Sequence, residues 1–497
     1  MAPTDTSESE RGIDQTEKLS RVAASLVLIG IFSAILLSGM DTLVVATVLP
    51  TIAIDLHQVS GVTFVAGAYL IASAISIPIM SRLSDIFSRR NVFLVGLGVF
   101  IAGSALSGLS QNLTELIAFR ALQGFGGGGS IPVALAMVAV VFPPATRSRV
   151  IGILTGASGL AIVLGPLVGS YIVSVTTWRW VFYVNLPFGI VAMILLSIAL
   201  KPLRPGTRIR FDGTGAGLLA GSVGALMVAL VGVADQGLAW ANPLTVSLLG
   251  ASVALFAVFL WWERHVADPL IPLRVMTNRN VAAAGGVTFS TGIVLPALIT
   301  FLSLFVGLVL GGSAGDIRDM IYFFAIPMIV GAAVSGQILT RFSYRNVVAP
   351  GLAMAAIAGL FLTQLSSSTP LWVLAWGFVP IGGIVLALIP LGLGLGFSLT
   401  GPTVAVQNDA PREHVGIAVG MLEFLSTLGG ALGISLLTTY QADRVKALSG
   451  GLPSGEVVNV LITSYNEVFL ILAICLFAAF GFALFFKGRV TSAPGSS

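Results

Sequence analysis

Stretches of about twenty residues without a formal charge recur along this chain, and they restrict its fold more than any other feature. Val22–Met40, Val92–Leu113 and Phe182–Leu200 are examples. A helix rises about 1.5 Å per residue, so ~20 apolar residues cross the ~30 Å hydrocarbon core of a bilayer. A lipid-facing barrel would need alternating segments of about ten residues, and the sequence has no such pattern. Only 9% of the 497 residues are charged and the mean hydropathy is +1.00, against roughly 25% charge in a soluble domain. Too few polar side chains exist to cover a water-facing surface.

Divided at charged or Pro/Gly-rich breaks, the chain reads as fourteen spans near 22–49, 62–81, 91–109, 113–141, 149–174, 178–200, 213–234, 243–262, 281–310, 319–340, 346–364, 371–404, 414–438 and 463–486. Cytoplasmic loops of membrane proteins collect Lys and Arg. With the N-terminus cytoplasmic, all 25 such residues fall on that side except Arg179, Arg318, Arg444, Lys446 and Arg120, the last lying inside a span. Both termini are therefore expected in the cytoplasm. "SRLSDIFSRRN" after span 2 recurs weakly as "GQILTRFSYRN" after span 10, eight spans later. Two halves of six spans with two extra helices between them account for that spacing, and such repeats place a substrate site at their interface. The chain thus divides into a cytoplasmic tail 1–21, a six-helix bundle 22–200, a linker with two helices 201–280, a second six-helix bundle 281–489 and a tail 490–497.

Ionisable groups inside spans carry the most information, since each costs roughly 2.5–3.5 kcal/mol at a helix centre. Three stand out: Asp41 in span 1, Arg120 in span 4 and Glu423 in span 13. A carboxyl in a partly dry cavity can load and release protons near neutral pH, and the permanently charged Arg120 can pair with Asp41. Glu423 lies one helical turn from Gly420 and Thr427, on a small, polar face. Asp41 as a solvated helix end and Arg120 as a tether for carbonyls are the competing readings. The histidines, His57, His265 and His414, fall at or near loops, and the single cysteine, Cys475, excludes an internal disulfide. Phe64, Tyr69, Trp178, Trp180 and Tyr183 either line an oily cavity or sit at the membrane interface, the latter being the reading for the two tryptophans. There is no phosphate-binding Gly-x-x-x-x-Gly-Lys motif, metal-ligand set or Ser/His/Asp arrangement, so no enzyme, cofactor or metal is expected. No basic cluster is dense enough for nucleic acid.

Several motifs, taken in order, resemble the fourteen-spanner drug:proton antiporters of the major facilitator superfamily. "RLSDIFSRR" (Arg82, Asp85, Arg89, Arg90) is similar to the loop between spans 2 and 3, with Ser81 where the family has Gly. "RALQGFGGG" (Arg120, Gln123, Gly124) is similar to the span-4 motif, and "MDTLVVATVLPTI" to the first-span signature, with Ala46 in place of Asn. The span-5 stretch with Gly152, Gly156, Gly165, Pro166 and Gly169 is similar to the antiporter motif, with Ala161 and Ser170 replacing glycines. "WRWVFYVNLPFG" and "FDGTG…ER…DPLIPL" are similar to fourteen-spanner signatures.

The resemblance implies a monomeric, proton-coupled exporter of amphipathic, cationic compounds in the cell membrane, built from two pseudo-symmetric six-helix bundles plus two central helices. It implies a span-1 acid close to the span-4 arginine, a span-5 helix that blocks leak, and membrane lipid, protons and a small-molecule substrate as partners. On the residues themselves, the acid flanked by bases in "RLSDIFSRR" reads as a cytoplasmic charge clasp. Transport of basic amino acids or siderophores, and a non-transporting receptor or scaffold, are the alternatives.

Overall fold

A computed structural model describes residues 21–58, 61–142, 144–200, 211–234, 238–266, 269–271, 277–339, 341–366, 384–409, 415–449 and 457–487. Among them the chain is helical, with no strand. The first part forms α1 (Arg21–Asp55), α2 (Phe64–Ile86), α3 (Arg89–Leu109), α4 (Leu113–Gly128), α5 (Ser130–Val141), α6 (Pro144–Val175), α7 (Trp180–Tyr183) and α8 (Asn185–Ala199). A hairpin follows, α9 (Gly213–Ala234) and α10 (Pro243–His265). The remainder comprises α11 (Arg279–Leu304), α12 (Ala314–Ile338), α13 (Tyr344–Phe361), α14 (Ile384–Asp409), α15 (Val415–Ser449) and α16 (Val457–Ala483).

Thirteen spans are long and apolar enough to cross a membrane, and α6 adds a shorter apolar stretch, Gly159–Val175. The expected fourteen spans are thereby all represented by helix, although 367–383 and part of span 12 lie outside the described residues. Expected span 4 is divided at Gly129 into α4 and α5, where three further consecutive glycines, Gly126–Gly128, weaken helix propensity. Helix starts carry their own signals: the side chains of Asn112, Asn242, Asn278 and Ser313 each accept from backbone N–H groups of the following turn.

Helix pairing repeats between the two parts. In the first, α1 packs on α6 and α8, α2 on α4, and α3 on α4 and α8. In the second, α11 packs on α15 and α16, α12 on α14, and α13 on α14 and α16. Each of these pairs has a counterpart in the other part, which is the pseudo-symmetry of two six-helix bundles with the α9–α10 hairpin between them in sequence. The bundles meet along α2 with α15, α6 with α12, and α1 with α11, again a pattern that maps onto itself.

Trp178 departs from the expected interfacial position. It is buried, and its indole N–H donates to Asp55 at 2.8 Å while Arg179 stacks on its ring. The acid at the end of α1 offered that N–H a partner, so the ring turned inward; Trp180 stays exposed.

Candidate functional site

Asp41 and Arg120 meet inside the first bundle. The Arg120 guanidinium donates to Asp41 Oδ2 at 2.5 Å, and both side chains are 0% exposed. The other carboxylate oxygen, Oδ1, accepts from the Gln123 and Asn185 amides, each at 2.9 Å. Gln123 Oε1 in turn accepts from Arg120 at 2.7 Å, Arg120 Nε reaches the Val65 carbonyl at 3.2 Å, and Asn185 also donates to Ser104 Oγ at 3.1 Å. Tyr69 lies under the guanidinium, 4.4 Å from ring centroid to Cζ, and holds its hydroxyl against Ser38 Oγ at 2.9 Å. Four helices and the α2 backbone thus enclose one acid, one base and two amides. Two charges removed from water are tolerable only when paired and fully hydrogen-bonded, and here one guanidinium nitrogen, Nη2, is left without a partner.

The glycines after Arg120 explain how so bulky a charge is buried. A Cβ on Gly124 would overlap the Tyr69 carbonyl, one on Gly128 would sit 2.5 Å from the Ser73 carbonyl, and one on Gly126 would strike the Phe100 backbone. Alternate glycines therefore let α4 lie on α2 with one side and on α3 with another. Ser73 and Ser76 donate to the Gly124 and Phe125 carbonyls across that contact. The close approach brings Tyr69 and the Val65 carbonyl within reach of Arg120. Gly165 and Gly169 play the same part for α6, which rests on Met40, Leu43 and Val44 beside Asp41; Pro166 is buried between them. The side-chain surroundings of Gly152 and Gly156 lie outside the described residues.

Glu423 is placed differently. It is half-buried on α15 and has no hydrogen-bond or ion-pair partner among the described residues. Thr427 and Gly430 share its face, by the i, i+4, i+7 spacing of a helix. Gly430 lies against Pro296 of α11 and Leu70 of α2, so this face is turned to the boundary between the bundles. The exposed Leu436 is on roughly the opposite side. One turn earlier, a Cβ on Gly420 would meet nothing within 4 Å. The helix is therefore open at the position one turn before the acid.

In the α2–α3 loop, Arg89 donates to the Ala136 carbonyl of α5 at 3.0 Å and Arg90 to the Ser197 carbonyl of α8 at 2.8 Å. Arg90 thus sits at the C-terminal turn of α8, where a basic group is favoured, and Arg89 ties the loop to the middle of α5. Arg82 is half-buried, and the Asp85 side chain lies outside the described residues. Sequence reading paired Asp41 with Arg120, named Gln123 only within the span-4 motif, and missed Asn185 and Ser104. Asn185 had a signal, an amide inside the apolar "WRWVFYVNLPFG" segment; Ser104 had none, since a serine can satisfy itself on its own helix.

A family model described as Major Facilitator Superfamily matches residues 31–434. The chain is 31% identical over 437 residues to the multidrug transporter protein MdtP of Bacillus subtilis, covering 88% of this chain and 78% of that one. It is 30% identical to the tetracenomycin C resistance and export protein of Streptomyces glaucescens, covering 84% and 76%. A triacylglyceride transporter of Mycolicibacterium hassiacum is also 30% identical, covering 93% and 92%. In fold it is similar to a bacterial homologue of the human lysosomal transporter Spinster in an inward-facing, unoccupied conformation, with TM-score 0.64, 16% identity, and 94% and 97% of the two chains covered.

Proposed function

Because the chain belongs to the Major Facilitator Superfamily, and so is an integral membrane transporter, we propose that it exports amphipathic cations in exchange for protons. Glu423 is the group on which the two compete. The observation that carries this reading is the contrast between the two interior acids. The charge of Asp41 is already balanced by Arg120 and sealed from solvent. Glu423 is on the face turned to the bundle boundary, one turn from the open space at Gly420, and has no ion-pair partner among the described residues. A carboxylate in low dielectric needs either a proton or a counter-ion. A proton satisfies it in one half of the cycle and a cationic substrate in the other, so neither can be carried while the other is bound.

Asp41, Arg120, Gln123 and Asn185 then set the shape of the first bundle against which the substrate packs. Arg89 and Arg90 hold the α2–α3 loop in place. The Lys/Arg asymmetry of the loops supports a cytoplasmic location for that loop and for both termini, in the cell membrane. A single chain suffices for the cycle, since both bundles come from it. The relatives named for multidrug and tetracenomycin export support small amphipathic cargo. Each net charge moved is worth about 2.3 kcal/mol per 100 mV of membrane potential, so exchange of more than one proton for a monocation would draw on the potential as well as on the pH gradient.

The test is a flux assay in proteoliposomes with an imposed pH gradient, comparing ethidium with lysine and arginine. Gradient-driven ethidium movement is expected. Lysine or arginine movement without ethidium would replace this reading by that of a basic amino acid carrier.

A further inference from the structure

Among the described residues the side-chain hydrogen bonds between the bundles lie toward the end of the molecule that carries the α1–α2 connection, while apolar contacts of α2 with α15 continue through Ile71, Ala74 and Ile77. The Thr63 hydroxyl, at the start of α2, bonds to the Thr438 hydroxyl of α15, which itself donates to the Ile434 carbonyl at 2.7 Å. On the symmetry-related side, the Tyr322 hydroxyl of α12 donates to the Val163 carbonyl of α6 at 2.8 Å. Pro50 of α1 abuts Gly307, past α11. Between these contacts sits a misfit. Ser435 Oγ is buried with no hydrogen-bond partner, and α2 approaches so closely that a Cβ on Gly67 would lie 3.2 Å from it.

We infer that these hydroxyls form a counterbalanced latch, in which Tyr322 and Thr438 hold this face shut and Ser435 keeps it near release. The physical basis is the asymmetry of hydrogen bonds. A bond made inside the protein contributes modestly, because water would otherwise supply it, whereas a buried hydroxyl without a partner bears its full desolvation cost. Separation of α2 from α15 would let water reach Ser435 and remove that cost, offsetting part of what the two latch bonds lose. The closed face is thereby stable enough to exclude leak and still opens during each cycle. Tyr322, Thr438 and Ser435 act through the helix positions rather than on cargo, so they are positioning residues. This inference rests on the alternating-access reading above.

The experiment places spin labels on Gln58→Cys and Ala447→Cys, both exposed and on opposite bundles at this face, in full-length protein carrying Cys475→Ser. Distance distributions are recorded in lipid nanodiscs with and without ethidium, at several pH values. Tyr322→Phe and Thr438→Val should each raise the population of the longer distance by about 2- to 10-fold. Thr438→Ser, which keeps the hydroxyl, should match the parent. Ser435→Ala should lower that population by about 5-fold or more. Two populations in the parent that none of these substitutions moves, or a shift of Ser435→Ala in the same direction as Tyr322→Phe, would overturn the latch. A single fixed distance under every condition would instead defeat alternating access itself, and the latch with it.

Discussion

At the scale of single residues, the two interior acids should respond to substitution in opposite ways. Removing one partner of a buried ion pair strands the other charge and costs about 3–5 kcal/mol. Arg120→Ala should therefore lower the thermal unfolding midpoint in detergent sharply, because Asp41 keeps its two amide donors but loses its counter-charge. Adding Asp41→Asn should recover part of the loss; strictly additive effects would show that the two side chains do not act as a pair. Glu423→Gln has no partner to strand among the described residues, so its unfolding midpoint should stay close to the parent's while gradient-driven export disappears. The pairing of Asp41 with Arg120 was legible in the sequence because charges inside apolar spans are few and must find each other. Asn185 and the ring of Tyr69 were not read as part of it. Their role depends on which helix faces which, and helical periodicity fixes a face only relative to its own axis.

At the scale of helices, backbone proximity decides which glycines matter. A methyl on Gly124 would overlap the Tyr69 carbonyl, so Gly124→Ala should push α4 off α2, disturb Arg120 and reduce the yield of folded protein in size-exclusion chromatography. Gly420 meets nothing within 4 Å, and there the gain in helix propensity from alanine, about 0.5–1 kcal/mol, should leave the protein as stable as before or slightly more so. The sequence displayed both as helical glycines of similar aspect. Only the packing separates the one that admits a neighbour from the one that borders open space. Span positions were legible from apolar runs between charged or Pro/Gly-rich breaks, and most ends agree within a few residues. The break at Gly129 was not, because an apolar run carries no mark of where its helix is interrupted. The inward turn of Trp178 was hidden for a related reason: its partner Asp55 lies on another helix, far along the chain.

At the scale of the whole molecule, the repeated pairing of helices makes two bundles with a shared boundary, about which the proposed cycle would tilt them. Among the described residues their side-chain hydrogen bonds gather at the α1–α2 end, and Glu423 lies nearer the other end of α15. If the loop asymmetry reports orientation, a cysteine at Gln58 should react with a membrane-impermeant maleimide on intact cells, and one at the exposed Phe87 only after permeabilisation. The reverse pattern would invert the proposed direction of transport. The two-fold arrangement was foreshadowed by the weak "SRLSDIFSRRN" and "GQILTRFSYRN" repeat, whereas the depth of each acid and its access to open space required the assembled helices. Competition between a proton and a cation at Glu423 is the claim on which the functional account turns. It is tested most directly by proton release from the purified protein in weakly buffered detergent solution on addition of a cationic substrate such as ethidium. The parent protein should release protons as substrate binds, and Glu423→Gln should release none. Equal release from both proteins, or none from the parent when binding is seen, would contradict it.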